Sequence, residues 1–359
     1  MAKLWATDPR DALRVTPDFD LASFDRAGTP GFDGDRVAAD KLMAARGQLM
    51  AELQERLYAN GRSGGTERVL VVVQGLDTAG KGGIARHVMG MVDPQGVALR
   101  SFGVPTEEER AHHYLWRIER ALPTPGKIGL FDRSHYEDVL VVRVDNLVDA
   151  NVWGARYEEI NAWEKALVDD GVRILKFAMM VSHEEQGMRL MERLDRPDKR
   201  WKYSPGDLKT RAKWDAYQEA YADVFRLTST EHAPWYVLPA DRKWYPRLAV
   251  TEILTRTLVD MDLRWPLPDF DPAEQRAALA ATRSRAALEA SLAETKDAVA
   301  SALAENVEVK EEVAALLTSH ADADGKSRAK AEAKQRKAEW EKDLAATLAQ
   351  KRELLAQTD

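Results

Sequence analysis

The sequence contains no cysteine among its 359 residues. Disulfide bonds, thiolate metal sites and cysteine nucleophiles are therefore all excluded. Long apolar runs are also missing, and the N-terminal stretch MAKLWATDPRDALRV is polar and interrupted by charge. The sequence thus predicts neither a signal peptide nor a membrane-spanning segment. We expect a cytoplasmic protein without a membrane partner.

An excess of positive charge is absent too, since 52 Lys and Arg residues face 59 Asp and Glu residues, for a formal net charge of −7. Nucleic acid is therefore not an expected partner, and any anion site must be built locally. Histidine is scarce, and the seven histidines show no metal-ligand spacing. The length suits one large α/β domain with an appendage, or two modest domains.

The most informative stretch, VLVVVQGLDTAGKGG, runs from Val69 to Gly83. Its five leading apolar residues are typical of a strand buried on both faces of a parallel sheet. Gly75, Gly80 and Lys81 then fit the G-x-x-x-x-G-K pattern of a phosphate-binding loop, in which backbone N–H groups and the lysine surround phosphate oxygens. A helix is predicted to begin near Gly82. The residues expected to bind phosphate are Gly75, Ala79, Gly80, Lys81 and Gly82.

Gly82 stands where this motif usually places the Ser or Thr that binds Mg²⁺, so the metal must find other oxygens. Asp77, inside the loop, is the nearest candidate, and Asp132 follows a short apolar run that has the form of a second strand. Arg133 comes next, and an arginine at a strand tip can stabilise a phosphoryl group in transfer. The sequence predicts Mg²⁺, with Mn²⁺ as an alternative, on Asp77 and Asp132.

Strands and helices alternate along the remaining core. Further strands are predicted at residues 97–102, 127–132, 172–181 and 235–239. Helices are predicted at residues 35–59, 107–122 and 247–258, and another helix ends within 161–167. This alternation is typical of a parallel sheet covered by helices on both faces, a three-layer α/β/α arrangement. Residues 1–35 are expected to form an irregular N-terminal arm.

A basic stretch, Arg189–Lys213, holds nine Lys or Arg residues and only four acidic residues. Such a cluster suits a polyanion, or a lid that closes over phosphates and excludes water. A solvated helical face with internal ion pairs is the alternative. Trp201, Tyr203 and Trp214 lie among the cations and favour an ordered structure.

The composition changes near Pro266–Pro272, beyond which Ala, Glu, Lys and Arg dominate and no glycine occurs before Gly325. One apolar series lies roughly at heptad positions, and a second marks another amphipathic helix. The two series are Leu288, Leu292, Val299 and Leu303, then Trp340, Leu344, Leu348 and Leu355. With a turn at Asp322–Lys326 between them, residues 272–359 are predicted to form a C-terminal helical hairpin.

Three stretches together resemble the polyphosphate kinase 2 family: GLDTAGKGG at 75–83, FDRSHYED at 131–138 and RPDKRWKYS at 196–204. The stretch APWYVLPADRKW at 233–244 agrees with them. The resemblance covers residues 36–268, and implies a P-loop NTPase-like fold of the thymidylate kinase type with a helical lid at about 184–226. It also implies an enzyme that uses inorganic polyphosphate and Mg²⁺ to phosphorylate adenine or guanine nucleotides reversibly.

The resemblance further assigns roles to individual residues. The implied catalytic residues are Asp77, Lys81, Asp132 and Arg133, the two aspartates being the metal-associated acids. The implied polyphosphate-binding residues of the lid are Arg193, Arg196, Lys199, Arg200 and Lys202. The implied nucleotide-binding residues are Arg133, Glu137 and Asp138. The sequence Tyr136-Glu137-Asp138 resembles members that accept both nucleoside monophosphates and diphosphates, and the family suggests a homodimer or homotetramer.

Two other hypotheses remain open from the residues alone. An ATP-dependent nucleotide or nucleoside kinase would share the loop, the acid at the strand end and the lid. A nucleotide-binding scaffold assembled through the C-terminal hairpin would retain phosphate binding as a switch. The length of the basic stretch favours a longer polyanion, and the intact acids and cations of the loop argue against an inactive scaffold.

Overall fold

The computed structural model describes residues 4–290, 312–313, 315–316 and 323–357. The chain divides into two compact units, Met1–Arg264 and Trp265–Asp359. The first unit is an α/β domain, and the described part of the second unit is helical.

A five-stranded sheet forms the centre of the first unit, and all of its strand pairs are parallel. The strands, in the spatial order β2-β3-β1-β4-β5, are β1 (Arg68–Gln74), β2 (Val97–Ser101), β3 (Ile128–Asp132), β4 (Val172–Met180) and β5 (Trp235–Pro239). Every residue of β1 after Arg68 is buried, as the apolar run predicts. The predicted parallel sheet and its five strands are confirmed.

The register of the sheet brings the loops that carry polar residues to one edge. Val73, near the end of β1, lies opposite Asp132 of β3 and Phe177 of β4. Because parallel strands present their carboxyl ends at the same edge, the loops that follow β1, β3 and β4 emerge together.

Helices cover both faces of this sheet. They are α1 (Pro9–Leu13), α2 (Arg36–Arg62), α3 (Lys81–His87), α4 (Glu107–Arg110), α5 (Trp116–Glu119), α6 (Val141–Val144), α7 (Ala150–Asp169), α8 (His183–Asp195), α9 (Pro205–Arg211), α10 (Trp214–Thr228) and α11 (Trp244–Asp260). Ile160 of α7 and Val224 of α10 share a core cluster with Val72 of β1. Helix α11 packs on α2, β4 and β5, so the three-layer α/β/α fold is confirmed.

The single helix predicted at residues 107–122 is wrong. The structure has two short helices there, α4 and α5, separated by residues 111–115. Helix α4 buries none of its residues, and the apolar contacts begin only at Leu115 and Ile118. A continuous helix is not stabilised, because the first half of the segment has no apolar face to pack.

The N-terminal segment is mostly irregular and lies against the domain. Trp5 pairs with Phe32 in an antiparallel bridge, and Arg14 pairs with Tyr236 of β5. The Val15 N–H also donates to the Trp235 carbonyl oxygen at 2.9 Å. This edge of the sheet is therefore partly covered by the arm.

The second unit contains α12 (Pro272–Ala280), helical residues 285–290 and a long helix, Ala323–Ala356. The turn predicted at Asp322–Lys326 is wrong for residues 323–326, which are helical. An isolated glycine costs only about 1 kcal/mol in a helix, and Gly325 lies in a run of strong helix formers. The predicted positions Leu292, Val299 and Leu303 lie outside the described residues. Among the described helices, none is long and apolar enough to cross a membrane.

Candidate active site

The loop between β1 and α3 has the backbone that its glycines require. A Cβ atom at Gly75 would lie 2.8 Å from the Met179 carbonyl oxygen, and Gly80 has a φ of +112°. Thr78 also has a positive φ, +66°, which is uncommon for a residue with a side chain. The chain therefore turns tightly beside β4 before α3 begins at Lys81.

Lys81 is folded back onto this loop. Its Nζ donates to the carbonyl oxygen of Gly75 at 2.6 Å and to that of Leu76 at 3.3 Å. Burial and the neighbouring Arg133 lower the pKa of Lys81, whereas Asp132 and Asp77 act to raise it. The charge of the ammonium group is therefore influenced by both predicted metal-associated acids and by the predicted catalytic arginine.

Arg189 of α8 holds the outside of the same loop, and its side chain is 5% exposed. Its guanidinium donates to the carbonyl oxygen of Thr78 at 2.9 Å, and to those of Ala240 and Asp241 at 2.7 and 2.9 Å. Glu185 accepts a further bond from Nε at 2.7 Å. Sequence reasoning counted Arg189 only as part of the basic stretch and did not assign this contact.

Asp132 and Arg133 lie at the end of β3, beside the loop. Arg133 has a φ of +63°, and its N–H donates to the Val73 carbonyl oxygen at 3.1 Å. Its guanidinium donates to Asp77 Oδ1 at 3.3 Å. Asp132 Oδ1 is buried without a hydrogen-bond partner among the described residues, which is costly for an acceptor unless a ligand satisfies it.

The surroundings of Asp132 fit a hard divalent cation. Carboxylate oxygens are the ligands that Mg²⁺ prefers, and it retains several waters or phosphate oxygens when only one or two carboxylates bind it. The described residues contain no group of three or more His, Cys, Asp or Glu side chains placed to hold a metal. Asp132 and Asp77 would supply carboxylate oxygens to such a cation.

Glu137 approaches the same place from the 3₁₀ turn His135–Asp138. Burial raises the pKa of Glu137, and the opposing influence of Arg133 and Lys81 does not cancel it. In the amide orientation that satisfies Gln74 of β1, its nitrogen donates to Glu137 Oε1 at 2.9 Å and its oxygen accepts from the Ser134 N–H at 3.2 Å. Gln74, which sequence reasoning did not assign, therefore ties the end of β1 to this turn.

Asp138 lies in a different environment. It is buried, Arg156 approaches its Oδ1 at 3.2 Å, and Arg117 approaches its Oδ2 at 3.8 Å. The structure thus brings Asp77, Lys81, Asp132, Arg133 and Glu137 together, whereas Asp138 is held by two arginines.

The five predicted cations of the lid are engaged within the lid. Arg193 pairs with Asp207 at 3.1 Å, and Arg196 pairs with Asp198 at 2.8 Å. Lys199 pairs with Glu192, Arg200 donates to the Leu194 carbonyl oxygen at 2.8 Å, and Lys202 lies 5.0 Å from the centre of the Trp201 ring. The basic stretch therefore contains the internal ion pairs that its alternative interpretation, a solvated helical face, predicts. It is also ordered, as its aromatic residues predict.

The lid also borders the loop. Asp77 contributes, after burial, to the raised pKa of Asp207 in α9. The pKa of Tyr221 in α10 is raised by burial and by the charges of Glu137 and Asp77. The same two carboxylates contribute, after burial, to the raised pKa of Tyr217, one helical turn earlier. Residues of both helices therefore feel the charge of Asp77.

A buried polar cluster underlies the turn that carries Arg133. Its members, which we call the core network, are His135, Tyr136, Glu164, Lys176 and Thr228, and each is fully buried. Glu164 and Lys176 form an ion pair at 2.6 Å. Burial acts to raise the pKa of Glu164, but Lys176 and His135 outweigh it and lower the pKa. A lysine inside the apolar run of β4 was the available sequence signal, and sequence reasoning did not use it.

Comparison with known proteins decides the family. The family model described as "Polyphosphate kinase 2 (PPK2)" matches residues 35–265, which is more than half of the chain. The chain belongs to the polyphosphate kinase 2 family. The match includes the phosphate loop, the Asp132–Arg133 turn and the lid, and it ends close to the boundary between the two compact units.

Among relatives, an AMP/ADP-polyphosphate phosphotransferase of Meiothermus ruber is 49% identical over 258 residues, which are 71% of this chain and 95% of that protein. An ADP-polyphosphate phosphotransferase of Rhodopseudomonas palustris is 39% identical over 63% of this chain and 81% of that protein. The crystal structure of a polyphosphate kinase 2 from Arthrobacter aurescens, 48% identical, superposes with a TM-score of 0.75 over 77% of this chain and 97% of that one. The fold is therefore that of the P-loop kinase-like phosphotransferases, which act with a divalent metal ion.

Proposed function

We propose that this chain transfers phosphoryl groups reversibly between inorganic polyphosphate and both AMP and ADP. Polyphosphate-dependent phosphotransfer to nucleotides follows from family membership. The choice of both acceptors rests on the Meiothermus ruber relative, which is named for AMP and ADP, and on Glu137 beside the phosphate loop. The observation that carries the proposal is the convergence of Asp77, Lys81, Asp132 and Arg133 at one edge of the sheet. Asp132 lies opposite Val73 at the end of β1, Lys81 begins the helix after the loop, and Arg133 donates to Asp77 at 3.3 Å.

The loop is proposed to hold the phosphates near the point of transfer. The first N–H groups of a helix have no acceptor within that helix, so those of α3 can donate to phosphate oxygens. Lys81 would exchange its bonds to the Gly75 and Leu76 carbonyl oxygens for bonds to phosphate. Because a nucleotide phosphate oxygen is already anionic at neutral pH, alignment and charge neutralisation are the main tasks of the site.

We assign Asp132 and Asp77 as the residues that would hold Mg²⁺. A divalent cation held there would supply positive charge that offsets the negative charge of the phosphates. Asp132 has a buried oxygen that finds no partner in the described part of the chain, as this role requires. Asp77 accepts a hydrogen bond from Arg133 and so holds its guanidinium beside the metal-associated acids. Arg133 would stabilise the negative charge on the oxygens of the phosphoryl group during transfer.

The lid cations are proposed to bind polyphosphate by exchanging partners. Exposed ion pairs such as Arg196 with Asp198 stabilise a fold very little, so a polyanion can displace their carboxylates at small cost. Residues 36–268 would then be the catalytic core, with the lid at about 184–226. A cytoplasmic location and assembly as a homodimer or homotetramer are the accompanying proposals.

The test is nucleotide product formation by the purified full chain with Mg²⁺ and long-chain polyphosphate. AMP and ADP are supplied in separate reactions, and parallel reactions replace polyphosphate with ATP. Product from polyphosphate with both acceptors is expected. Product with ADP alone would contradict the proposed dual acceptor use, and product only with ATP would indicate an ordinary nucleotide kinase. No product with either donor would favour the scaffold hypothesis.

A further inference from the structure

The Lys176 ammonium group is completely satisfied by buried acceptors. It donates to Glu164 Oε2 at 2.6 Å and to the Tyr136 hydroxyl at 2.8 Å. Its third donor reaches the Thr228 carbonyl oxygen at 2.8 Å. An ammonium group has three N–H donors, so none is left for any other partner. Lys176 thereby connects β4 to the end of α10.

The Glu164 carboxylate is equally engaged, and its partners lie in the active-site turn. Its Oε1 accepts from the Tyr136 hydroxyl at 2.9 Å and lies 3.1 Å from His135 Nε2. A carboxylate is only an acceptor, so His135 carries its proton on Nε2 and donates it. Glu164, on α7, therefore hydrogen-bonds to two consecutive residues of the 3₁₀ turn that follows Arg133.

Burying such a network carries a large desolvation cost compared with an apolar core. A buried ion pair seldom stabilises a fold more than apolar side chains of similar volume, because two charges must leave water. Hydrogen-bonded buried networks do hold their members in one geometry, and among the described residues only His135 Nδ1 of this network lacks a partner. Two members of this network, His135 and Tyr136, lie in the turn that follows Asp132 and Arg133. The network is therefore placed to hold that turn in one geometry.

The turn itself needs external support. Arg133 adopts a φ of +63°, a region that is unfavourable for a residue with a side chain and persists only when the surroundings impose it. From β1, the Val73 carbonyl oxygen accepts the Arg133 N–H at 3.1 Å. On the far side, His135 and Tyr136 are fixed by Glu164 and Lys176, so the turn is held at both ends.

We propose that the buried ion pair Glu164–Lys176, acting through the Tyr136 hydroxyl, positions Arg133 for the transition state of phosphoryl transfer. Glu164, Lys176 and Tyr136 are positioning residues, since none of them is expected to touch substrate. The inference rests on the proposed function for the reaction that Arg133 serves. It adds to that function a requirement for three residues that lie beneath the site.

The central test removes one oxygen atom. Tyr136→Phe deletes the hydroxyl that joins the ion pair to the turn, and Tyr245→Phe is its matched control, because Tyr245 is also fully buried and donates its hydroxyl to the Pro30 carbonyl oxygen at 2.6 Å. Both variants are expected to lose similar stability. Only Tyr136→Phe is expected to lower kcat with polyphosphate, about tenfold, with the KM values of polyphosphate and nucleotide within about twofold of wild type.

A double-mutant comparison separates positioning from a general loss of structure. In an Arg133→Ala background, Tyr136→Phe is expected to change kcat less than about twofold, since the group that it positions is gone. An undiminished effect in that background would overturn the proposal. So would wild-type kcat in Tyr136→Phe, or an equal loss in Tyr245→Phe. The double variant Glu164→Gln/Lys176→Met, which leaves no unpaired charge, is expected to reproduce the kcat loss.

Amide hydrogen exchange of residues 131–138, measured by mass spectrometry without substrate, makes the test independent of activity. Exchange is expected to accelerate there in Tyr136→Phe and to stay at the wild-type rate in Tyr245→Phe. Unchanged exchange in Tyr136→Phe would refute the positioning role even in an inactive protein. A wild-type chain that makes no product from polyphosphate, yet shows the accelerated exchange in the variant, would refute the proposed function and leave the support of the turn intact.

Discussion

Arg189 donates a hydrogen bond to the Thr78 carbonyl oxygen at 2.9 Å, and so joins the first lid helix to the outside of the phosphate loop. The same guanidinium binds the carbonyl oxygens of Ala240 and Asp241 after β5. A peptide group that points its carbonyl oxygen outward points the N–H of the next residue inward. Arg189 thus orients part of the loop that is proposed to surround phosphate.

Arg189→Lys is expected to lower kcat/KM for polyphosphate about 10- to 100-fold, because a lysine cannot reproduce the planar fork of donors. Arg68→Lys is the matched control. Arg68 also binds a carboxylate and a backbone carbonyl, those of Asp170 and Thr66, but at the opposite end of the sheet. Steady-state kinetics of the two variants should differ, and equal kinetics would contradict a special role for Arg189.

Two glycines of the loop should respond differently to alanine. Gly80 has a φ of +112°, whereas a Cβ at helical Gly82 would meet nothing within 4 Å. Gly80→Ala is expected to lower the free energy of unfolding by about 1 kcal/mol or more, and Gly82→Ala to raise it by about 0.5–1 kcal/mol. Urea denaturation checks both values. Destabilisation by Gly82→Ala would show that the space at residue 82 is not free.

The buried Glu137 should make stability depend on pH with a definite sign. Its pKa is raised in the folded state, chiefly by burial, so its contribution to stability is present below the unfolded pKa and is lost as pH rises through the folded pKa. Glu137→Gln is therefore expected to gain stability relative to wild type by about 1.4 kcal/mol for each pH unit between the two pKa values. Glu192, whose pKa is lowered by its bond with Lys199, should give the opposite sign when changed to Gln. Urea denaturation from about pH 3 to 8 covers both windows, because the Glu192 difference changes below the unfolded pKa of Glu and the Glu137 difference above it. A Glu137→Gln difference that is constant over this range would contradict the assignment.

The lid cations should contribute to binding but little to folding. Arg196→Ala is expected to leave the free energy of unfolding close to that of wild type, because its ion pairs are exposed. The KM for polyphosphate should rise about three- to tenfold, since one cation facing the polyanion is lost. Arg264→Ala, which removes an exposed arginine paired with Asp262 at 3.0 Å, is the control outside the lid. An unchanged KM in Arg196→Ala would remove Arg196 from the polyphosphate site.

Much of this architecture follows from local patterns. The apolar run before Gly75 predicts β1, and the short run before Asp132 predicts β3. Both patterns depend on neighbours in sequence, so they can be recognised without the fold. The meeting of Asp132 with Lys81 was predictable as well, because parallel strands end at a common edge.

Other features depend on contacts between distant segments, which no local pattern encodes. The break between α4 and α5 reflects which residues find an apolar surface, and the helix through Gly325 reflects the summed propensity of its neighbours. Lys176 stands in a strand that otherwise reads as apolar, and only the fold reveals Glu164 as its partner. The hydrogen bonds from Arg189 to the loop carbonyl oxygens could not be predicted, because nothing in the sequence distinguishes Arg189 from the other cations of the basic stretch.

The most direct test of the account is the activity of Asp132→Asn with polyphosphate, ADP and Mg²⁺, measured beside its urea denaturation. Asn keeps the shape of Asp but has a lower affinity for a hard cation, and Asp132 Oδ1 accepts no hydrogen bond from any described residue that the change would break. We expect turnover to fall at least about 100-fold while the free energy of unfolding without metal is unchanged or higher. Near-normal turnover in a folded variant would contradict the central claim that Asp132 anchors the metal for phosphoryl transfer.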